Sequence, residues 1–356
     1  MYSQGSAAAV VWRKLTSLQE LQAISAEWDA LNQDCGGVLF CSPRWQLHWI
    51  ACYWQAQWQL EVWTGTAENK LVAILPCYSK NGPRYRTLFP LGQGEPEDCE
   101  VASEFIDLLV RPERLCDLSA LAKQLKLSGR FRLTWRAVAD KANILQLVKM
   151  LDYSVIQASG ARYLCDGTLG MELKTQLKRK WEKINRLERD DKAEFSWLHG
   201  EQALQKWPEL KAFHQIRWNK KGKPGAFTSE VFNQFHQDFI HQQPESCQMS
   251  QLTVNGEVAA IHYYLNSEGY MHFYQAGWSD TFARYSPSAM LHLWSASQAG
   301  GRTYDFMLGA SKSYKQALCN MQQPCFQLDT YPDIKSYVVA MLRKLKRVTG
   351  RYKWLP

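Results

Sequence analysis

The chain is 356 residues long, with 46% hydrophobic and 21% charged residues, the balance of a folded globular protein with room for two domains. Its net charge of +8 sits in the tail: residues 335–356 hold seven Lys and Arg and no acid, which leaves 35 basic against 34 acidic residues in the body. A near-neutral body argues against a nucleic-acid-binding domain, and no apolar run approaches the ~20 residues of a membrane span.

The first residues, MYSQGSAAAVVWRKL, carry an apolar patch with no basic region before it, so they do not read as a signal peptide and the expected location is the cytoplasm. Ten cysteines, at 35, 41, 52, 77, 99, 116, 165, 247, 319 and 325, form no CxxC pair and lack a histidine at zinc-ligand spacing. They read as small buried hydrophobes in a reducing compartment, and no structural metal is expected.

In chain order, AVVWRKLT predicts a strand, and Leu18–Asn32 an amphipathic helix with Leu21, Ile24, Trp28 and Leu31 on one side. Ser42 and Pro43 are suited to the N-cap and first position of the next helix. Two strands, LEVWTGT and KLVAILPCYSK, follow around the turn AEN, then the acidic loop LGQGEPEDCE and the strand RFRLTWRAV. The second half opens on a helix over Met171–Asp190, with Leu173, Leu177, Trp181, Ile184 and Leu187 in one stripe and basic residues opposite. Helices near Pro208–Trp218 and Thr228–His241 come next. A three-strand meander follows, in which Asn255-Gly256 is the strongest hairpin signal. A helix from about Pro287 to Ala299, the strand TYDFML, a short helix and the strand CFQLDTY complete the body. VWTGTAENKLVAILPCY and LTVNGEVAAIHYYL match as strand–turn–strand units, which points to an internal duplication.

Ser286-Pro287 before a helix, Gly300 or Gly301 after it, then Asp305-Phe306, Gly309 and Tyr314-Lys315 resemble the C-terminal signature of a GNAT-like acyltransferase family. This is its cellulose-biosynthesis (CelD-like) branch, related in fold to the FemABX aminoacyltransferases. Arg217-Trp218 upstream, and Trp28, Leu31, Phe40, Ser42-Pro43, Trp45 and Trp49 in the first half, fall at similar spacings. The resemblance implies an α/β fold of two tandem GNAT-like units, mixed sheets flanked by helices. It places a degenerate first unit at 1–165, the acyltransferase unit at 166–333 and a basic amphipathic helix at 334–356. It also implies transfer of an acyl group from acetyl-CoA or another acyl-CoA to an amine or hydroxyl of a polysaccharide or cell-envelope precursor. An aminoacyl-tRNA donor, or a non-catalytic role in polysaccharide assembly, is the alternative.

Such a transfer needs a proton acceptor for the acceptor group, stabilisation of the carbonyl oxyanion, and a cradle for the donor phosphates. YSPSAML, after the last strand of the meander, is the candidate cradle, with Ser286, Ser288, Ala289 and Met290 as donor-binding residues; it lacks the glycines usual there, which keeps the non-catalytic reading open. Asp305 ends an apolar strand, where active-site residues of α/β folds sit, and Lys315 is a candidate site residue that would hold a phosphate or carboxylate; the alternative for the two is an Asp305–Lys315 ion pair. Tyr314 is the candidate proton donor to a departing thiolate, and His262, alternating with Ala260 and Tyr264, either the general base or a structural hydrogen-bonding residue. His214 and Arg217, three apart on one helical face, are candidate acceptor contacts.

The loop acids Glu95, Glu97, Asp98, Glu100, Glu104 and Asp107 read as a lure for a cationic acceptor or as a solvated run. In Ile334–Val348, the residues Tyr337, Val338, Met341, Leu342, Leu345 and Val348 share one helical side and Arg343, Lys344, Lys346 and Arg347 the other. That pattern fits a helix docked on the body or one touching an anionic membrane surface.

Overall fold

The computed structural model describes residues 9–166, 175–190, 192–310 and 313–351. The first half runs β1 (Val11–Leu15), α1 (Leu18–Ala23), α2 (Ser25–Asp34), α3 (Pro43–Tyr53), β2 (Trp58–Leu60), β3 (Val62–Ala67), β4 (Lys70–Leu75), β5 (Cys77–Asn81), β6 (Arg86–Pro90), β7 (Leu109–Val110), α4 (Leu118–Leu127), β8 (Phe131–Ala139), α5 (Asn143–Lys149) and β9 (Ser154–Cys165). The second runs α6 (Thr175–Arg189), β10 (Ala193–Leu198), α7 (Gly200–Asn219), α8 (Glu230–Gln242), β11 (Cys247–Val254), β12 (Glu257–Ser267), β13 (Tyr270–Trp278), α9 (Pro287–Ser297), β14 (Thr303–Gly309), β15 (Met321–Thr330) and α10 (Ile334–Arg351).

The helix expected over Leu18–Asn32 is two helices that meet at Ile24; the first is closed by a capping box in which Ser17 and Glu20 bond each other's backbone. Ser42 and Pro43 open α3 as expected, with the Ser42 hydroxyl accepting from the Trp45 N–H. The expected strand KLVAILPCYSK splits at Pro76 into β4 and β5, which join different sheets; a proline has no N–H for the ladder. The helix expected near Pro208 starts eight residues earlier, at Gly200, and runs through that proline. Met171–Lys174 of the helix expected over Met171–Asp190 lie outside the described residues.

Both halves share one topology. β1 and β10 pair antiparallel with β3 and β11, which turn through Glu68-Asn69 and Asn255-Gly256 into β4 and β12. All four turn residues have positive φ, as a type I′ hairpin requires. In each half an antiparallel partner follows, then a helical crossover (α4 or α9) to a parallel strand: β6 with β8, and β13 with β14. The last strands are exchanged. β9 of the first half pairs with β14 of the second, while β15 pairs with both β9 and β8. An eleven-stranded sheet, β10-β11-β12-β13-β14-β9-β15-β8-β6-β5-β2, therefore crosses the whole molecule, beside a four-stranded sheet β1-β3-β4-β7.

Helices join the halves as well. Trp45 of α3 is buried against Phe235 and Phe239 of α8, with ring centroids 5.0 Å away in each case, and donates its indole N–H to Ser103. A fully buried indole contributes roughly 4–6 kcal/mol by its area, and Trp28, Trp45 and Trp49 are all fully buried. A second core, under α9, packs Met290, Leu291 and Leu293 against Tyr264, Met271 and Tyr304. The rigid sheet and these two cores fix α7 and α9 around the end of β13.

Candidate functional site

Where β13 ends, the chain makes a short turn over Asp280–Tyr285 and enters α9. Ser286 takes a left-handed conformation there, φ 51° and ψ 57°, which costs a non-glycine residue on the order of 1 kcal/mol. That strain sets Pro287 at the first helical position, where its missing N–H is harmless. The Met290 N–H bonds the Ser286 carbonyl at 3.1 Å. The N–H groups of Ser288 and Ala289 bond nothing among the described residues, as expected in the first turn of a helix, and carry its partial positive charge.

They border a cleft of about 270 Å³ lined by Arg217, Trp278, Ala283, Ser286, Pro287, Ser288, Ala289, His292, Tyr314 and Leu318. Arg217 arrives from α7, which can approach β13 because residue 277 is glycine. A Cβ there would lie 2.6 Å from the Phe213 Cβ and 2.9 Å from the Leu210 carbonyl oxygen. Cations edge the turn. Lys180 of α6 donates to the Ser286 hydroxyl at 2.5 Å, and Lys183 and Arg284 lie 5.0 and 4.8 Å from the Tyr285 ring centre.

Behind the cleft is a buried polar chain. Ser288 Oγ lies 2.9 Å from His262 Nε2, and His262 Nδ1 lies 3.0 Å from the Tyr264 hydroxyl. Ser250, 3.1 Å from that hydroxyl, receives the Ser295 O–H at 2.9 Å. His292, one turn on from Ser288, lies tilted against His262 with ring centres 4.3 Å apart and bonds the Tyr304 hydroxyl through Nδ1 at 2.7 Å. Its Nε2 is buried without a partner among the described residues. Burial, and secondarily the charges of His292 and Arg217, pushes His262 well below the ordinary imidazole value. His292 is pushed to about 3, by burial first and then by Lys315 and Arg217. Both rings are neutral at physiological pH. Tyr314, about half exposed, stands at the mouth, and burial raises its phenol above the ordinary value against the pull of Arg217.

Of the residues singled out in the sequence, the structure gathers His262, Ser286, Ser288, Ala289, Arg217 and Tyr314 at this cleft. It separates four. Met290 is buried in the core and its N–H is occupied, so it offers a donor nothing. His214 is buried against Phe227, accepts the Trp218 indole N–H at 2.7 Å, and is pushed to about 4, chiefly by burial. It holds α7 rather than an acceptor.

Asp305 and Lys315 belong to a backbone bulge. β14 loses register with β9 between Asp305 and Leu308, and Met307 takes a φ of 60°. Asp305 Oδ1 accepts the Met307 N–H at 2.7 Å; its Oδ2 takes His272 Nδ1 at 2.7 Å and the Arg162 guanidinium at 2.9 and 2.8 Å. Lys315 Nζ donates to the Phe306 and Leu308 carbonyls at 2.5 and 2.7 Å, and Glu104 accepts the Leu308 N–H at 2.7 Å. The expected Asp305–Lys315 ion pair does not form, because Lys315 caps the carbonyls that the bulge frees. The acidic loop is a solvated run only in part: Glu97 and Asp98 are exposed, but Glu95 is buried and accepts the Val101 N–H, and Asp107 caps α5 through the Asn143 and Ile144 N–H groups. His292, Trp278, Tyr264 and Arg162 were not singled out in the sequence. His292 carried a local signal, four residues from Ser288 on one helical face, and Tyr264 another, two residues from His262 on one strand face; Trp278 and Arg162 carried none.

The GNAT acetyltransferase domain family model matches residues 174–316, which include the cleft from Arg217 to Tyr314. No curated protein sequence matches the chain. Among solved structures, the crystal structure of FemX is 11% identical with a TM-score of 0.59, over 90% of this chain and 97% of that one. The structure of L-PGS from Bacillus licheniformis is 11% identical with a TM-score of 0.52, over 92% of this chain and 95% of that one. The likeness to both is one of fold. The architecture is an α/β chain of two like units, and the second contains the segment that matches the GNAT acetyltransferase domain model.

Proposed function

We infer that the chain is an acyltransferase working at the α9 cleft, moving an acyl group from a thioester donor, acetyl-CoA or another acyl-CoA, to an amine or hydroxyl. The observation that carries this reading is the pair of unoccupied amides, Ser288 and Ala289, at a helix N-terminus that opens into a cation-edged cleft inside the GNAT-matched segment. At about 270 Å³ the cleft is just below the ~300–1,000 Å³ of pockets that enclose a whole ligand, so it suits the acyl end of a donor. Lys180, Lys183 and Arg284 then face the donor's phosphates. Tyr314, kept protonated, donates a hydrogen bond to the departing sulfur, and the free Nε2 of His292 accepts one from the acceptor.

The acceptor class we favour is a polysaccharide or cell-envelope precursor, as in the cellulose-biosynthesis branch that the sequence resembles. The test is release of free thiol from acetyl-CoA in the presence of amino sugars and their polymers, with the acylated product identified by mass. A second reading, an aminoacyl-tRNA donor, is favoured by the basic run Lys178, Arg179, Lys180 and Lys183 on α6, beside the cleft. Protection of the cleft by aminoacyl-tRNA but not by coenzyme A would select it.

α10 supplies a further part of the reading. Tyr337 packs against Tyr153 and Tyr331, while Ile334, Val338, Val339 and Leu342 are exposed. Leu345 and Val348 lie outside the described side chains. An exposed apolar strip beside Lys335, Arg343 and Lys344 fits an anionic membrane surface. No described helix is long and apolar enough to cross a membrane.

A further inference from the structure

Ser288 is more than the second residue of a helix. It lines the cleft, its hydroxyl is 2.9 Å from His262 Nε2, and the imidazole is held on its other nitrogen by Tyr264 at 3.0 Å. A hydroxyl, a ring nitrogen in hydrogen-bond reach and a third group that orients the ring form the geometry of an activated nucleophile. Resting on the acyltransferase reading above, we propose that Ser288 is the nucleophile of a two-step transfer, carrying the acyl group as an ester between donor and acceptor.

Three features of the site suit that role. His262 is fully buried and neutral, so with Nδ1–H donating to the Tyr264 oxygen, Nε2 is free to accept the Ser288 proton. The Ser288 and Ala289 N–H groups bond nothing among the described residues, which leaves both free to donate to the carbonyl oxygen as it becomes an oxyanion. The left-handed Ser286 and the Pro287 that follows it fix the serine on a rigid turn. His292, whose Nε2 is buried without a partner among the described residues, lines the same cleft.

In the first step the Ser288 oxygen bonds the acyl carbon, its proton passes to His262 Nε2, the carbon–sulfur bond breaks, and the thiolate leaves with the proton from His262. In the second the acceptor nitrogen or oxygen bonds the same carbon and gives its proton to His262. The ester carbon–oxygen bond breaks, and Ser288 recovers its proton from the imidazole. The sum is acyl exchange between thioester and acceptor, with no other reactant.

The test uses the full chain with two probes, acetyl-CoA and p-nitrophenyl acetate, the second of which reports acylation without the coenzyme. Peptide mass mapping after brief reaction should place an acetyl group on Ser288, with a stoichiometric burst of nitrophenolate. Ser288→Ala should abolish both, Ser288→Cys should restore labelling as a thioester, and His262→Gln should slow the burst by about 100-fold or more. Thermal melts check that each variant is folded. Thiol release from acetyl-CoA at the wild-type rate in Ser288→Ala would overturn the ester intermediate and leave the acyltransferase reading standing. Saturable acetyl-CoA binding with no label from either probe would do the same. Neither binding nor labelling would overturn both.

Discussion

Arg162 and Asp305 meet guanidinium to carboxylate at 2.9 and 2.8 Å, although one ends the first half of the chain and the other lies deep in the second. The same carboxylate holds the bulged backbone at Met307, and Lys315 holds the carbonyls on either side. The Asp-Phe and Tyr-Lys pairs of the sequence thus stabilise the point where β14 meets the exchanged strand β9. Of the four residues, only Tyr314 reaches the cleft.

Asp305→Asn should therefore weaken the fold before it touches chemistry. It leaves the buried Arg162 uncompensated, a loss of about 3–5 kcal/mol, read as a drop in the urea midpoint. Arg162, then His272, overcome the effect of burial and hold the Asp305 carboxyl at about 2. Its folded value is below the unfolded one of about 3.9, so its stabilisation is complete above that pH and is lost as pH falls through about 2. A variant as stable as wild type at pH 7 but inactive would return Asp305 to the site.

His292 predicts a loss in the same direction but in a higher pH window. Its folded value near 3 lies below the unfolded 6.5, so between those values the unfolded chain binds the extra proton and stability falls as pH falls. The loss from this group between pH 7 and pH 5 is about 2 kcal/mol. His292→Asn should recover that part of the acid loss in chemical melts at the two pH values. An unchanged pH dependence would contradict a neutral, buried His292.

Much of the architecture was legible locally. Asn255-Gly256 announced its hairpin, Ser42-Pro43 its helix start, and the two strand–turn–strand units the repeat. Alternation also put His262 and Tyr264 on one face, where they bond. What failed was what only long-range pairing decides. Nothing near Arg162 signals Asp305, 143 residues away, and nothing near Glu104 signals the Leu308 N–H, 204 residues away. Asp305 read as a site residue because it ends an apolar strand; His272 lies on the neighbouring β13, but Arg162 lies on β9, which only the strand exchange brings beside β14. The splitting of KLVAILPCYSK had a local cause in Pro76, but not the choice of sheet on either side.

Gly277 predicts a link between packing and binding. Gly277→Ala pushes α7 off β13 at the Phe213 and Leu210 contacts, costing about 1–3 kcal/mol. Because α7 carries Arg217, donor affinity should fall in protein that still folds. A shift in thermal midpoint with unaltered affinity would show that Arg217 is not used.

For α10, vesicle sedimentation gives a direct check. Wild-type chain should pellet with vesicles rich in phosphatidylserine and not with neutral ones, with binding falling as salt rises. Val338→Ser with Leu342→Ser should release it by removing the exposed apolar pair. Equal pelleting of wild type and double variant would contradict a membrane-facing α10.

Calorimetric titration with acetyl-CoA of wild type and of Ala289→Trp is the measurement that reaches the central claim most directly. Residue 289 lines the cleft and leaves the Ser288–His262 contact in place. The account predicts saturable binding to wild type, weakened at least about tenfold by the bulky side chain, a change of ~1.4 kcal/mol. No binding to folded wild type, or equal affinity in the variant, would contradict a donor at the α9 N-terminus.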